Sequence, residues 1–566
     1  MKKKIIRGLL GAACIGLAIG MGACAFGSGE EEDSRARRGE RTQREERRDR
    51  DREENPSGTE PEEKTEPEGK TETGEGQETA QASYSPLRSV EYLSYYDWDL
   101  YQDVIYDSEV EYIIPDEVMR SRYPKLAAVL DEEKADLLSN YETMREEGVE
   151  YALYDLDNLG DSFWSYYRNR ECSVHRADDQ VLSVLSVCSA YIGGAHGDYY
   201  FTHANYEPQT GRVLKLDDII TDNAAFRDMV AEKLTEVYDV DIFFGEPAQL
   251  LADYSIHEED GYYYTWTVEY DGISVYFSPY EIAPFASGFQ CVKLTFDDLD
   301  GMIVPGWGRT TDTFVTYLIP YAPTRLDLNG DGQSVEIRVD DGSKTEWGMT
   351  EGYTVNVGDT SYENDENYHY DRLRAFVAAV GTDTALLFVE STVENDYCYY
   401  DLYAITEDSI KYVESPDLFT PYIYNEGRDD GGRLCQQDPE NLVFYRRTDM
   451  FGTTRLRVIC HATADGRLAQ ESGFYEYVDY AAKEEFVSGQ DIKATIVDEE
   501  GNTVDTDVTI PAGTTFRRWR TDNVKYVDCI LDDGRIARLE MDHSDWPYRI
   551  NGVPEDEVFP NIAYAG

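Results

Sequence analysis

The stretch VLSVLSVCSAYIGGAHGDYYFTHANYEPQTGRVLKL, Val181–Leu216, decides how the first half of the chain folds. Its two runs rich in Val, Leu, Tyr and Phe have the composition of β-strands. A glycine-rich segment joins the runs, and Pro208 to Gly211 supply the residues of a second turn. The stretch therefore predicts consecutive antiparallel strands connected by tight turns.

Two segments near this stretch have helical periodicity instead. In 123–147, Leu126, Leu130 and Tyr141 fall on one stripe, and 226–238 shows a similar apolar face. Strand-like runs then resume and continue to about residue 299. Helices beside antiparallel strands are typical of α+β domains. We therefore predict an α+β fold, an antiparallel sheet with packed helices, for about residues 86–305.

The chain beyond residue 305 has a different character. Short strand-like runs alternate with Gly, Asp and Asn turns, and helical periodicity is almost lacking. This pattern predicts a mostly β C-terminal region. We divide it into a β-rich domain at 306–483 and a small β-barrel-like module at 484–566.

The first 24 residues have the features of a bacterial lipoprotein signal peptide. A basic start precedes a short apolar run, and Met21-Gly22-Ala23-Cys24 resembles the sequence after which the cysteine thiol receives a lipid. We predict a signal peptide at 1–24, lipidation of Cys24 and attachment to the extracellular face of the cell membrane. An uncleaved signal anchor and a plain secreted form are the alternatives.

Residues 25–83 are dominated by Glu, Arg, Pro, Gly and Thr, with few large apolar side chains. Such a segment cannot bury enough surface to offset the entropy lost on ordering. We predict a disordered charged linker between the anchor and the folded chain.

The net charge restricts the partners. The chain carries 113 Asp and Glu against 52 Lys and Arg, a formal net charge of −61. A field of that sign repels nucleic acid and anionic lipid headgroups. We therefore expect contact with the membrane only through the lipid anchor, and a cationic protein or a cell-wall polymer as the partner.

Three motifs carry a resemblance to a known family: YIGGAHGD, NYEPQTGRVLKLDDII and VYFSPYEIAPFASG. In this order they resemble the family that includes the lysozyme-sensing domain of RsiV-type anti-sigma factors and the N-terminal module of PdaC-type peptidoglycan deacetylases. The resemblance implies a sensor domain at 193–305, preceded by a companion domain at 84–192. It also implies binding of cationic wall-active proteins such as lysozyme, without catalysis by this domain.

Within these motifs, His196, Asp198, His203 and Glu281 are the candidate ligand-binding residues. The glycines around His196 permit unusual backbone angles and close approach of the chain. A loop with a purely structural role, its shape fixed by imidazole hydrogen bonds, explains the same residues. Both interpretations stay open.

One further motif, RLDLNGDGQSVEIRV, offers oxygen ligands around a glycine-permitted turn. Asp327, Asn329, Asp331 and Glu336 are the ligand types that calcium prefers. The spacing resembles the calcium loops of FG-GAP-type β-repeats, and it differs from an EF-hand because Arg338 stands at the twelfth position. Calcium is thus the one cofactor that the sequence suggests, with an ion-free hairpin turn as the alternative.

Three functions are compatible with these observations, and one of them is a purely structural wall protein without a saturable ligand. We favour a cell-surface lipoprotein with a non-enzymatic binding ectodomain. The alternative is a cell-wall-modifying enzyme, a peptidoglycan hydrolase or a deacetylase-associated protein, with its site in the C-terminal half. Deacetylase chemistry itself is disfavoured because HSDWP, at His543, has Pro547 where the second metal-binding histidine belongs.

Overall fold

The computed structural model describes residues 84–564, apart from 102, 259–261, 310, 321, 346–348, 370–372, 394–396, 426 and 429. The predicted signal peptide, Cys24 and the linker at 25–83 lie outside the described residues. Within the described part, none of the helices is long and apolar enough to cross a membrane.

The first half of the described chain contains mostly short strands with two longer helices. Its strands are β1 (Leu87–Tyr92), β2 (Tyr95–Tyr96), β3 (Val104–Asp107), β4 (Glu109–Ile114), β5 (Tyr166–Ala177), β6 (Leu182–Tyr191), β7 (Asp198–Glu207), β8 (Arg212–Val213), β9 (Tyr254–Ser255), β10 (Tyr262–Tyr263), β11 (Thr265–Val268), β12 (Gly272–Phe277) and β13 (Gln290–Thr295). Its helices are α1 (Glu117–Arg122), α2 (Pro124–Leu159), α3 (Asn223–Val237) and α4 (Pro247–Leu250).

The middle of the chain consists of strands. They are β14 (Thr313–Tyr317), β15 (Thr324–Leu326), β16 (Val335–Lys344), β17 (Thr350–Val357), β18 (Thr360–His369), β19 (Arg374–Val380), β20 (Ala385–Val393), β21 (Tyr397–Thr406) and β22 (Ser409–Glu414).

The last part is also built from strands, with two single-turn helices. Its strands are β23 (Tyr422–Tyr424), β24 (Gly431–Leu434), β25 (Leu442–Thr448), β26 (Thr454–Ala462), β27 (Leu468–Gln470), β28 (Tyr475–Tyr477), β29 (Glu485–Val487), β30 (Ile492–Val497), β31 (Thr503–Ile510), β32 (Thr515–Thr521), β33 (Tyr526–Leu531), β34 (Ile536–Asp542), β35 (Arg549–Ile550) and β36 (Val553–Pro554). Its helices are α5 (Asp479–Ala482) and α6 (Glu555–Val558).

The sheet that contains the opening stretch runs in the order β23-β24-β1-β4-β5-β6-β7-β8. Strands β5, β6 and β7 form long antiparallel ladders, with Cys188 opposite Tyr200. Helix α2 starts at Pro124, where the missing N–H of proline costs no helical hydrogen bond. Its Leu126 and Leu130 pack in one core with Val174 and Val184 of the sheet. The predicted strands and the helical stripe therefore bury each other.

Helix α3 covers the antiparallel sheet β11-β12-β13. Its first turn is capped by the Asp222 carboxylate, which accepts hydrogen bonds from the Ala224 and Ala225 N–H groups at 3.1 and 3.0 Å. Phe226, Val230 and Leu234 recur at helical spacing and belong to one core with the buried side chains of the sheet, listed as Trp266, Val268, Ile273, Val275, Phe277, Val292 and Leu294.

The middle of the chain is a β-sandwich. The sheet β15-β16-β17-β18 and the sheet β14-β19-β20-β21-β22 enclose one core, to which Val355 and Leu387 belong. The opposite face of the second sheet packs through Phe388 against Phe444 of β25. Strands β25 to β34 then form the last large sheet, which runs in the order β25-β26-β28-β32-β33-β34-β30-β31.

The predicted α+β class for about residues 86–305 is wrong, because the structure is mostly β, with 46% of residues in strands and 17% in helices. Helical periodicity is a strong sequence signal because it persists over many residues. Strands such as β2, β8, β9 and β10 have only two residues each and leave almost no periodic trace. The sequence therefore understates the share of strands in this part.

The cysteines whose side chains the structure describes are buried, and each has a free thiol. They are Cys172, Cys188, Cys291, Cys435, Cys460 and Cys529.

Candidate functional site

The glycine-rich loop between β6 and β7 lies on two tyrosine hydroxyls. Gly193 has a φ of +93°, and a Cβ added there would stand 2.6 Å from Tyr166 Oη. A Cβ on Gly197 would stand 2.7 Å from Tyr167 Oη and 2.8 Å from the Ala190 carbonyl oxygen. Only glycine allows the backbone to approach this closely. The loop conformation and the positions of both tyrosines are therefore linked.

His196 connects this loop to the turn after β12. Its Nδ1 lies 2.9 Å from the Gly197 carbonyl oxygen, and its Nε2 lies 3.1 Å from Tyr280 Oη. A carbonyl only accepts, so Nδ1 donates to the Gly197 carbonyl oxygen, and Nε2 shares a hydrogen bond with the Tyr280 hydroxyl. The imidazole also stacks on Phe285, with 4.3 Å between the ring centroids. Two motifs singled out in the sequence thus meet at His196.

Glu281 fixes the turn that presents Tyr280. Its carboxylate accepts hydrogen bonds from the Ser278 N–H at 2.8 Å and the Tyr254 hydroxyl at 2.7 Å. Burial of the carboxyl group raises the pKa of Glu281, although much of the residue is exposed. Tyr280 has a φ of +71° and is 55% exposed. A strained, exposed aromatic residue held by its neighbours is typical of functional sites.

Two adjoining cavities lie beside these residues. One has a volume of about 650 Å³ and the other about 550 Å³, within the range of small-molecule sites. They share Ser165, Tyr166 and Tyr167 as lining residues and therefore lie side by side. We call their combined surface the aromatic groove. Its aromatic lining residues are Phe163, Trp164, Tyr166, Tyr167, Tyr191, His196, Tyr199, Phe285 and Phe289.

The rings of the aromatic groove support one another. Tyr166 contacts Tyr191 and Phe163, with centroid separations of 5.9 Å in both pairs. On the other side, Tyr199 packs against Phe285 at 6.0 Å. Trp164 differs from the rest because it is 75% exposed. An exposed indole at the wall of a groove is available for contact with a ligand.

The charged groups of the aromatic groove are mostly acidic. Asp155 of α2 accepts a hydrogen bond from the Tyr166 hydroxyl at 2.5 Å, and burial together with this carboxylate raises the pKa of Tyr166. Asp107 accepts from Ser94 Oγ at 2.7 Å. Asp341 and Lys344 line the larger cavity. The lining thus carries a surplus of negative charge.

Asp198 and His203 lie on β7 and do not line either cavity. Asp198 is exposed at the start of the strand. His203 packs near Trp266, with 5.6 Å between the ring centroids, and desolvation lowers the pKa of His203 to about 4. Ligand contact by these two residues stays a prediction, whereas His196 lines the groove and Glu281 supports its turn.

The sequence analysis missed Phe163, Trp164, Tyr166 and Tyr167. They come from the run FWSYY, which covers the end of the connection after α2 and the first two residues of β5. A cluster of four aromatic residues outside any amphipathic pattern is the signal that was available. Such a run is also compatible with ordinary core packing, and only the fold brings it opposite the glycine-rich loop.

In the predicted calcium loop between β15 and β16, the candidate ligand side chains form hydrogen bonds or ion pairs with other residues of the protein. Asp327 accepts hydrogen bonds from the Gly330 N–H at 2.7 Å and from Arg309 Nη1 at 2.9 Å. Glu336 pairs with Arg325 at 2.5 Å. Asn329 and Asp331 accept from backbone N–H groups of the same turn, namely Asp331 N and Gln333 N. Within the described ranges, no group of three or more His, Cys, Asp and Glu side chains is placed to hold a metal ion. Calcium binding stays a prediction.

Residues 217–297 match the model of a family described as a protein of unknown function, DUF3298. The chain therefore contains a DUF3298 domain, which includes α3, the sheet β11-β12-β13 and the turn that carries Tyr280 and Phe285. The glycine-rich loop precedes this domain. The resemblance predicted from the sequence is confirmed at the level of this family of unknown function, and its narrower form stays a prediction.

Two solved structures are similar to parts of the chain. One is a member of the DUF3298 family from Bacteroides fragilis, with 20% identity and a TM-score of 0.29, covering 40% of this chain and 94% of that chain. The other is a DUF3298 family protein from Pseudomonas aeruginosa PAO1, with 16% identity and a TM-score of 0.27, covering 41% of this chain and 97% of that chain. Likenesses of this size carry no information about function. No curated protein matches the chain.

Proposed function

We propose that this protein is a non-catalytic binding protein of the cell surface and that its ligand occupies the aromatic groove. The observation that carries the proposal is the contact of His196 with both Phe285 and Tyr280. This contact joins the glycine-rich loop to the DUF3298 domain and completes the wall of the groove. A concave, largely aromatic surface with a few polar groups is the usual form of a ligand site.

The roles of the polar lining groups favour binding over catalysis. Asp155 is engaged by the Tyr166 hydroxyl, and Ser165 Oγ donates to the Val104 carbonyl oxygen at 2.5 Å. His196 is oriented by its contacts to Gly197 and Tyr280. Each of these groups serves to shape the wall of the groove. A nucleophile activated by a neighbouring base would require a different arrangement.

The sequence supports attachment of the protein to the extracellular face of the cell membrane. A basic start, a short apolar run and Cys24 favour export and lipidation, and 25–83 would act as a tether. Cys24→Ser is expected to abolish incorporation of labelled fatty acid into the protein, because it removes the thiol that receives the lipid. Mass spectrometry of the native protein tests the same point, and an intact N-terminus without acyl chains would contradict it.

The resemblance to lysozyme-sensing and deacetylase-linked domains, together with a net charge of −61, supports a wall-associated ligand. Cationic wall-active proteins such as lysozyme and cell-wall polymers are the two candidates, because the acidic surface attracts or tolerates both. Attraction of a cationic protein by this surface would weaken steeply with salt.

The test is retention of the full-length protein, purified in detergent, on insoluble cell walls and on immobilised lysozyme. Phe285→Ala and His196→Ala are expected to reduce retention on the true ligand. Phe244→Ala is the matched control, because Phe244 is 56% exposed and does not line the groove. Circular dichroism verifies folding of each variant. Full retention by the folded Phe285→Ala and His196→Ala variants would overturn the proposal. Release of acetate or muropeptides from the walls would favour the enzymatic alternative.

A further inference from the structure

We infer that the ligand of the aromatic groove is a glycan chain without anionic groups, whose sugar rings stack on Trp164 and on Phe285. This inference rests on the proposed function, since it names the chemistry of the ligand at the same site. Three features of the groove carry it: its aromatic walls, its polar groups and its charge.

The aromatic walls match the shape of pyranose rings. One face of a pyranose presents a row of C–H groups, which packs favourably on the flat face of an aromatic ring. Trp164 offers such a face in the smaller cavity because it is 75% exposed. Phe285 and Tyr199 offer others in the larger cavity. Two adjoining cavities with separate aromatic platforms fit successive rings of one chain better than a single compact molecule.

The polar lining supplies partners for hydroxyl and amide groups. Asp107, Asn169 and Ser189 line the larger cavity, as does Lys344. Asn169 Oδ1 accepts a hydrogen bond from the Glu109 N–H at 3.0 Å, and this bond fixes the orientation of the Asn169 side-chain amide. Sugar hydroxyls both donate and accept, and carboxylates, amides and ammonium groups are suitable partners for them.

An extended peptide fits less well. Peptides commonly bind by adding a strand to a free sheet edge. Strand β3, which contributes Val104 and Asp107 to the larger cavity, is paired with β2 on one side and with β5 on the other. The groove therefore contacts its ligand mainly through side chains. Such contacts favour a glycan, which packs on ring faces and bonds through its hydroxyls, over a peptide that binds through backbone hydrogen bonds to a strand.

The charge of the lining excludes anionic polymers. Asp107, Asp155 and Asp341 face the cavities together with a single ammonium group, that of Lys344, among the lining residues that the structure describes. The whole chain has the same sign of charge. Phosphate- or carboxylate-rich chains are repelled by such a surface, whereas neutral or amine-bearing sugars are accepted.

In the experiment, the full-length protein in detergent is titrated with a hexamer of N-acetylglucosamine. Binding is measured by calorimetry and by tryptophan fluorescence. The fully deacetylated hexamer, a hexamer of galacturonate and a lysine-rich peptide are titrated in parallel. We expect the acetylated hexamer to bind and to change the fluorescence, with the deacetylated hexamer also bound and the galacturonate hexamer inactive. Trp164→Ala and Phe285→Ala should each weaken binding roughly tenfold, the equivalent of about 1.4 kcal/mol.

The matched control is Trp546→Ala, which removes an indole that is 51% exposed and lies outside the groove. It should leave the affinity unchanged, and Trp164→Tyr should retain most of it. The glycan inference would be overturned if the peptide or the galacturonate hexamer bound and the hexamer of N-acetylglucosamine did not. The inference also fails, while the proposed function survives, if no hexamer binds but retention on cell walls or lysozyme still depends on Phe285. If no ligand depends on the groove, both fail.

Discussion

Tyr166 and Gly193 lie so close together that a Cβ on Gly193 would stand 2.6 Å from the tyrosine hydroxyl oxygen. We predict that Gly193→Ala strains the loop and displaces Tyr166 from Asp155. The expected loss is roughly 2 to 4 kcal/mol of unfolding free energy, from the positive φ and the steric conflict together. Urea unfolding measures the loss, and ligand binding in the groove should weaken in parallel.

Gly194 provides the control for this variant. Its φ is +101°, but a Cβ added there would meet no atom within 4 Å. Gly194→Ala should therefore cost only the backbone strain, about 1 kcal/mol. Equal losses for the two variants would show that contact with Tyr166 has no influence on the loop.

The sequence predicted the elements of this site better than their arrangement. The motifs around His196 and Glu281 were recognisable because glycine and proline mark unusual turns. Their contact through Phe285 was not predictable, since it depends on how the DUF3298 domain packs beside β7. Local sequence specifies turns, and tertiary packing decides which turns meet.

Helix α2 shows the same limit. The amphipathic pattern predicts a helix only over 123–147, where its apolar stripe ends just before Gly148. The helix continues to Leu159, and Gly148 within it lies against Tyr106, where an added Cβ would overlap the ring. A glycine that signals a stop in the sequence is here required for close packing. The mostly β character was underestimated for a related reason, because two-residue strands form only where a neighbouring strand pairs with them.

Lys293 is buried between two carboxylates in the DUF3298 domain. It forms an ion pair with Glu269 and another with Asp271 at 2.6 Å. Burial alone would raise the pKa of Glu269, but Lys293 and His175 hold it below its usual range. Lys293→Met is expected to remove the positive charge that both carboxylates share and to cost about 3 to 5 kcal/mol of unfolding free energy, measured by urea unfolding.

The partly exposed Lys233 is the matched control. It pairs with Asp298 at 3.1 Å and with Glu236 at 3.3 Å. Solvent screens these pairs, so Lys233→Met should cost less than about 1 kcal/mol. Similar losses for the two lysine variants would contradict the importance of the buried cluster.

His203 is expected to lower the stability of the folded protein as the pH falls from 6.5 to 4. Desolvation lowers the pKa of His203 to about 4 from its ordinary 6.5. Between these values the unfolded chain binds more protons than the folded protein, so the stabilising term is present above pH 6.5 and is lost as the pH falls to 4. His203→Phe should flatten this loss in urea unfolding measured from pH 7 to 4.5. An unchanged slope would contradict the assignment, and NMR titration of the imidazole provides the direct check.

Glu555 should have the opposite effect on the pH dependence of stability, because it lowers stability as the pH rises. Its side chain is buried at the C-terminal end, where it accepts hydrogen bonds from the Phe451 N–H at 2.9 Å and the Tyr564 hydroxyl at 2.7 Å. Burial raises the pKa of Glu555 to about 7 from its ordinary 4.5. The folded protein therefore binds more protons in this interval, and its stability decreases as the pH rises from 4.5 to 7, by at most about 3 kcal/mol.

Glu555→Gln keeps a hydrogen-bonding side chain at this position and removes the titration. The variant is expected to be more stable than the parent protein at pH 8 and to gain no such advantage at pH 4.5. Thermal and urea unfolding across this range measure the difference, and pairing the variant with His203→Phe separates two slopes of opposite sign. If Glu555→Gln were less stable at pH 8 than at pH 4.5 by the same amount as the parent, the carboxyl group would not titrate near neutrality.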